Sequence, residues 1–409
     1  MRGGRVAVVG GSIAGCSAAL AAARTGATEV VVFERAEGRL QDRGVGLALH
    51  TDRYAELEQA GYLDATMPWA RIARRPWVVR DGERWAGREI GALPFPFRSY
   101  NWGNLWQELR SRIPEGVDYR TGVTVAGVRA EADGVSLLLP DGSREHFDLV
   151  IGADGYRSIV RAAIHPGTQA EYGGYVAWRG TLPAETLPEP GDGPQPAFPE
   201  HDALTVAFPQ GHMIVYRIPG PGGVGTDVNW VFYAVPPAAA GERFVDPTTT
   251  HPRAITEDLV AYQQELVDAY FPPYWQEVMR RTPVENTFVQ PMYDMAVERF
   301  AEGRLALLGD AASIARPNTG SGAIKAVQDA AALERALRTH ESIDEALAAY
   351  SAERTPVGHA TKALGRSLGR AQVTETPDWP SMDQDAIDRW WRAADGKGGF
   401  GGHALGRQS

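Results

Sequence analysis

The apolar run within Arg5–Val9 is followed by a glycine turn, then by alanine and leucine at helical spacing from about Ile13 to Thr25, then by a second apolar run at Glu29–Glu34. Unbroken apolar runs suit strands buried on both faces, so this stretch predicts a βαβ unit with parallel strands. Strand-like runs recur at Val123–Val128, Val135–Leu139 and Leu149–Ile151, with Asp141-Gly142 marking a turn; they follow one another too tightly for a second helical crossover. From Tyr172 to about Tyr233 the pattern changes to YVAWRGTL, LTVAF, HMIVYRI and VNWVFYAV. These runs are separated by Pro/Gly-rich stretches at Leu187–Pro196 and Pro219–Gly225, which predicts an antiparallel sheet in a second domain. An amphipathic helix near Thr256–Tyr270, a parallel-type strand at Arg304–Leu308 and a helix from about Ser321 to Arg338 follow. The first domain is therefore discontinuous. Helical periodicity runs on from Ile343 to about Leu368, and the closing GKGGFGGHALGRQS has the composition of a loose tail.

The 409 residues, 44% hydrophobic and 22% charged, exclude a disordered chain and suffice for more than one domain with a cleft between them. A net charge of −10, with no long Lys/Arg run, disfavours nucleic acid and anionic membranes and makes small molecules the default ligand. Cys16 is the single cysteine, which rules out an internal disulfide framework and a cysteine-based zinc cluster, and the cytoplasm is the expected compartment. It reads as a small packing residue in the Ala-rich helix. Gly10, Gly11 and Gly15 weaken a signal-peptide reading of the N-terminus, and no other stretch has the apolar length of a spanning helix. No metal site is expected.

Three segments carry chemistry. Gly10-Gly11-Ser12-Ile13-Ala14-Gly15 lies between a strand and a helix, with Glu34 at the end of the next strand. Gly10 permits the tight turn, a small residue at Ser12 lets a pyrophosphate approach the helix N-terminus, Gly15 lets helix and strand pack closely, and Glu34 would accept from a ribose diol. The bland alternative is an ordinary tight βα turn. Gly220–Gly225 matches the same string but is rejected, because it joins two antiparallel strands, contains Pro221 and leads into no helix. The second segment, Arg304–Leu333, places Gly309-Asp310 after a strand, with Asp310 either binding a sugar hydroxyl or capping in solvent. Its Gly320 and Gly322 leave backbone N–H groups bare at a helix start. The third, DLVIGADGYRSIVR, turns at Asp154-Gly155 with Arg157 and Arg161 behind it.

In this order and spacing the three segments resemble the class A flavoprotein aromatic monooxygenases, most closely the 2,6-dihydroxypyridine 3-monooxygenase branch. VAVVGGSIAG with VVFER, Trp102 to Leu105, VIGADGYRSIVR, YGGYVAWRGTL, GHMIVYRIPG, the Gly309-Asp310 pair and the GHA…LGRSL region carry the likeness. It implies an α/β fold: a discontinuous Rossmann-type FAD-binding domain (1–75, 100–171, 282–342), an antiparallel-sheet substrate domain (76–99, 172–281) and C-terminal helices with a tail (343–409), as in para-hydroxybenzoate hydroxylase. It further implies FAD held by Gly10, Gly11, Ser12, Ile13, Ala14, Gly15 and Glu34, with Arg35 and Arg43 nearby. Asp154, Gly309 and Asp310 would meet the cofactor, Asp310 on the ribityl side, and the amides of Gly320, Ser321, Gly322 and Ala323 would face the flavin pyrimidine edge. Asn104 is also expected at the cofactor; Ser313, Ile324 and Asn104 stand where the wider class commonly has His, Asn and Arg.

The implied reaction uses NADH or NADPH and O2, and a flavin hydroperoxide hydroxylates an electron-rich aromatic or heteroaromatic ring. The alternatives are another flavin oxidoreductase on this frame (oxidase, epoxidase or Baeyer–Villiger type) or a non-catalytic FAD-binding module. Candidates for the substrate chamber are His212, Tyr216, Arg179 and Pro317, with Tyr175, Trp178 and Trp230; strand alternation puts His212 and Tyr216 on one face. Each competes with a structural role, as does His50. Trp390-Trp391 reads as an anchor onto the body of the protein or as half of a subunit contact. A monomer or a homodimer is expected.

Overall fold

The apolar strand Arg5–Val9 lies inside a six-stranded sheet ordered Ala301–Glu302, Leu305–Leu307, Leu149–Gly152, Arg5–Val9, Glu29–Glu34, Asp118–Thr121. All neighbours are parallel apart from the first pair. The computed structural model describes residues 3–38, 45–189, 191, 197–246, 256–396 and 398–402. Val8 pairs with Ile151 on one side and Val32 on the other, and all three are fully buried, as strands covered on both faces require. The helix Ile13–Arg24 covers this sheet with alanines and Cys16, whose small side chains let the helix Gly322–Thr339 pack against it. Burial pushes the Cys16 thiol up to about 12, which suits a packing residue.

The second sheet has nine strands in the order Ser313–Ile314, Thr287–Ala296, Glu171–Pro183, Thr226–Ala234, Gly211–Pro219, Leu204–Phe208, Ala70–Val79, Arg88–Asn101, Gly46–His50. Alternation along its strands separates two environments. Trp178, Met213, Val215, Trp230 and Phe232 face a core closed by the helices Glu257–Tyr270 and Pro273–Arg281, whereas Ile214, Tyr216, Val231 and Tyr233 line a cavity. A three-stranded meander, Gly127–Ala130, Val135–Leu138 and Arg144–Phe147, completes the β-structure.

Several expectations change. The run Val123–Val128 is not one strand: strands occupy Asp118–Thr121 and Gly127–Ala130, and Val123–Val125 line the cavity instead. The hairpin Ala70–Val79/Arg88–Asn101 was not legible, because RIARRPW and the prolines Pro94 and Pro96 obscure its alternation. The boundaries expected at 75/76 and 99/100 fall inside its two strands, and Gly46–His50 and Thr287–Ala296 also join the nine-stranded sheet rather than the nucleotide-binding one. Within the expected tail, Phe400 packs against Phe95, Phe97 and Trp391 at ring distances of 5.5, 5.4 and 5.1 Å. Trp390 packs onto the body, 4.9 Å from Trp77 and 5.0 Å from Trp379. Residues 403–409 lie outside the described residues.

Two buried carboxylates tie the C-terminal helices to the loops that bound the cavity. Asp294 accepts from Arg316 Nε at 2.8 Å and from Arg366 Nε at 2.9 Å. Asp329 accepts from Lys325 Nζ at 3.0 Å and Arg354 Nε at 2.8 Å, and its Oδ2 also accepts from the Gly309 N–H at 3.0 Å. Replacing Asp329 by alanine would leave two buried cations without an anion, so D329A is expected to lose about 3–5 kcal/mol of stability in chemical denaturation. D329N, which keeps a side-chain acceptor, is expected to lose less.

Candidate functional site

The first βα turn is shaped by contact distances that exclude side chains. Gly10 has φ +101°, a Cβ there would stand 2.4 Å from the Ala153 carbonyl oxygen, and one on Gly15 would stand 1.8 Å from the Gly10 carbonyl oxygen. The Gly11 N–H donates to Glu34 Oε2 at 2.6 Å, and Glu34 Oε1 accepts from the Ala36 N–H at 2.8 Å. Trp106 Nε1 and Tyr119 Oη both donate to the Gly11 carbonyl, at 2.8 and 2.7 Å. The helix that follows starts at Ile13, and its N-cap Ser12 makes no side-chain cap bond. Its first amides are thereby left for an anion.

This turn, the Asp154-Gly155 turn and the Gly309-Asp310 turn meet around a cavity of about 710 Å³ that continues beneath the nine-stranded sheet. Arg161 holds the latter two together. Its Nη1 donates to the Ala311 carbonyl at 3.1 Å, and its Nη2 donates to the Tyr156 carbonyl. Lys325 Nζ donates to the Gly309 carbonyl at 3.0 Å, so Asp329 and Lys325 together grip both sides of Gly309 and leave the Asp310 carboxyl on the cavity wall. Loss of water around Asp310 raises its pKa against the lowering effect of Lys325 and Arg161. Asp154 Oδ2 accepts from the Ile159 N–H at 2.8 Å, while its Oδ1 is buried with no protein partner. Desolvation raises this carboxyl too. At the loop opposite, Gly320 has φ +62° and a Cβ on Gly322 would meet nothing within 4 Å, so the backbone there is bare toward open space.

Gly10, Ser12, Ile13, Ala14, Glu34, Arg35, Asp154, Asp310, Pro317, Gly320, Ser321, Gly322 and Ala323 line the cavity. Gly11, Gly15 and Gly309 lie behind it and shape its turns. Asn104 is a correction. It does not line the cavity; its Nδ2 donates to the Gly220 carbonyl at 3.2 Å and its Oδ1 accepts from the Gly222 N–H at 3.0 Å, tying a helix to an outer turn. Arg43 lies outside the described residues.

On the sheet side His212, Tyr216 and Arg179 line the same cavity. Burial, then the charge of Arg75, lowers the His212 pKa to about 3, so its ring is neutral at neutral pH. The Gln372 carbonyl, 3.1 Å from Nδ1, can only accept, which places the imidazole proton on Nδ1 and leaves Nε2 as an acceptor. Burial likewise raises the Tyr216 phenol. Trp178 and Trp230 belong to the opposite face, Trp230 donating to Thr282 Oγ1 at 3.0 Å. Tyr175 is fully buried behind the wall and donates to Asn318 Oδ1 at 2.6 Å. His50 caps the helix Thr51–Gln59 by accepting from the Asp52 N–H. Sequence reasoning missed Arg75, Phe95, Phe97, Tyr233, Gln372 and Phe400, all on the cavity wall. No local signal marks them: even the charge of Arg75 sits in an arginine-rich run beside Arg71 and Arg74.

The profile of the family described as FAD binding domain matches residues 4–364. The chain is 27% identical over 369 residues to the 2,6-dihydroxypyridine 3-monooxygenase of Paenarthrobacter nicotinovorans, covering 87% of this chain and 88% of that one. It is 30% identical over 395 residues to the 3-amino-4-hydroxybenzoate 2-monooxygenase of Streptomyces cremeus, covering 93% and 90%. The solved structure of 2,6-dihydroxypyridine-3-hydroxylase from Arthrobacter nicotinovorans superposes with a TM-score of 0.78 at 25% identity, over 93% of this chain and 96% of that one.

The depressed pKa of His212 has a signed consequence. Unfolding lets the ring bind a proton below its ordinary pKa near 6.5, so its contribution to stability is whole above that pH and is lost as pH falls toward about 3. Between pH 6.5 and 5 the loss is about 2 kcal/mol. The drop in thermal midpoint between pH 7 and pH 5 is expected to be smaller in H212Q than in the wild type.

Proposed function

The chain belongs to the FAD binding domain family, and from that premise we propose how its cavity is divided between cofactor and substrate. The protein is an FAD-dependent monooxygenase of the group that acts on aromatic and heteroaromatic small molecules. Among the described residues no helix is long and apolar enough to cross a membrane.

The residues present fit FAD. Asp154 Oδ1 is buried at the cavity with no protein partner, and the space in front of Gly322 on the cavity wall is open, as a site built around a polar ligand requires. In this reading Glu34 takes the ribose diol, the first amides of the helix at Ile13 take the phosphates with Arg35, Asp310 takes the ribityl hydroxyls, and the amides of Gly320–Ala323 face the pyrimidine edge. When bound, and reduced by NADH or NADPH, FAD supplies the activation of O2 and the transfer of one oxygen atom to the ring.

The chain's own residues then do three things. Phe95, Phe97, Val231 and Phe400 exclude water from the sheet side of the cavity. Neutral His212 accepts a hydrogen bond from a ring hydroxyl at Nε2 without taking the proton, which raises electron density on the ring. Tyr216, its phenol held protonated by burial, donates to a ring heteroatom and orients it. Pro317 bounds the cofactor side. A substrate that is a hydroxylated aromatic ring, such as a hydroxypyridine or an aminohydroxybenzoate, is the reading that the two named relatives support. The carrying observation is the single continuous cavity joining the three nucleotide-type turns to this mixed wall.

Purified protein is expected to retain FAD and to consume NAD(P)H and O2 only when a hydroxylated aromatic is added, with label from 18O2 in the product. NAD(P)H oxidation that no member of a broad phenol and hydroxypyridine panel stimulates would overturn the reading. D310A is expected to lower the FAD content of the purified protein severalfold while leaving its far-ultraviolet circular dichroism unchanged.

A further inference from the structure

The other buried cations considered, among the described residues, are met by carboxylates or by backbone carbonyls: Lys325 and Arg354 by Asp329, Arg316 by Asp294, and Arg161 by the Tyr156 and Ala311 carbonyls. Arg75 is the exception. It is 2% exposed, yet its Nε donates to Thr205 Oγ1 and its Nη2 to Gln372 Oε1, both at 2.9 Å and both neutral. No carboxylate pairs with it among the described residues, and its Nη1 has no protein acceptor there. Its guanidinium carbon lies 4.5 Å from the Trp77 ring centroid and 5.5 Å from that of Trp391, contacts that favour the cation without neutralising it. Burial lowers its pKa to about 9, which still leaves it charged at neutral pH.

The groups beside it share the same deficit. Arg179 Nε and Gln372 Nε2 are buried without an acceptor, and both residues line the cavity with Arg75. His212 is neutral and brings no compensating charge. The unpartnered groups of Arg179 and Gln372 are donors and the charge at this end is positive, while the open acceptor beside them, His212 Nε2, is uncharged. A desolvated cation in that setting, held by neutral groups alone, gains stabilisation from an anion that arrives with the ligand.

We propose that Arg75, oriented by Thr205 and Gln372, is a specificity-determining residue that binds an ionised oxygen of the aromatic substrate, either a ring carboxylate or a ring oxygen acidic enough to be ionised at neutral pH. This rests on the reading of the sheet-side cavity as the substrate chamber; the FAD phosphates are assigned to the other end, at Ile13. Arg75 stands on Ala70–Val79, in the hairpin that the motif-bearing segments do not include.

The test is equilibrium binding to the FAD-loaded protein, read by calorimetry and by quenching of tryptophan fluorescence. The probes are 2-hydroxybenzoate, its neutral amide 2-hydroxybenzamide, and 2,6-dihydroxypyridine. The wild type is expected to bind at least one acidic probe about thirtyfold or more tightly than the amide. R75M is expected to abolish that preference with FAD content unchanged, and R75K to retain part of it. Preference for 2-hydroxybenzoate identifies the anion as a carboxylate, and preference for 2,6-dihydroxypyridine identifies it as a ring oxygen. Amide binding as tight as that of both acidic probes, failure of every acidic probe to bind, or an undiminished preference in R75M would overturn the proposal. The wild-type comparison stands alone if R75M fails to fold. Anion-selective binding without substrate-stimulated NAD(P)H oxidation would keep this inference and remove the monooxygenase reading of the cavity; hydroxylation of neutral rings with no anion preference would do the reverse.

Discussion

A guanidinium or ammonium group taken out of water must be met by an anion or by fixed dipoles, and the way this protein meets that demand organises its site. Asp329 sits between Lys325 and Arg354 and extends the same carboxylate to the Gly309 N–H. One buried charge cluster therefore both holds the C-terminal helices and presents Asp310 to the cavity. Asp294 does the equivalent for Arg316 and Arg366, and so anchors the loop that leads into Pro317. Arg161 is met by carbonyl dipoles of the two turns it joins. These cations are answered within the chain, which makes the walls rigid before any ligand enters. Arg75 alone among those considered is answered by neither a carboxylate nor a backbone carbonyl, but by two neutral side chains.

Rigidity of that kind matters because the cavity is assembled from both sheets. The parallel sheet contributes turns at the ends of its strands, where amides and carboxylates are exposed. The larger sheet contributes side chains from one face, and its two edge strands, Gly46–His50 and Ser313–Ile314, come from segments adjacent to those turns. A shift of one sheet against the other would pull apart the two walls of the cavity. The ion clusters oppose that shift. Burial also removes the His212 titration from near neutral pH by depressing it, and raises the Tyr216 phenol further above its ordinary value.

The nucleotide end was legible in the sequence because its chemistry is local. A strand, a glycine turn and a helix start are contiguous, and steric exclusion of a Cβ at Gly10 and Gly15 is a property of that short segment. The same holds for Asp154 and Asp310, each at a strand end beside a glycine. Asn104 was misplaced because a helix position does not say which neighbour its side chain meets, and here that neighbour is the Gly220–Gly225 turn, 116 residues away.

The sequence by itself determined the βαβ start, the change to an antiparallel sheet, the return to the parallel one and the family to which the chain belongs, since periodicity and turn chemistry act over a few residues. Tertiary structure alone decided which face of each sheet strand meets the cavity, and so why Tyr216 lines it while Trp178 and Trp230 do not. It also decided that Phe400, from a glycine-rich tail, and Gln372, from a π-helical turn, complete the wall beside Arg75. Desolvation depends on what surrounds a group in space, and residues 75 and 372 become neighbours only when the chain has closed on itself.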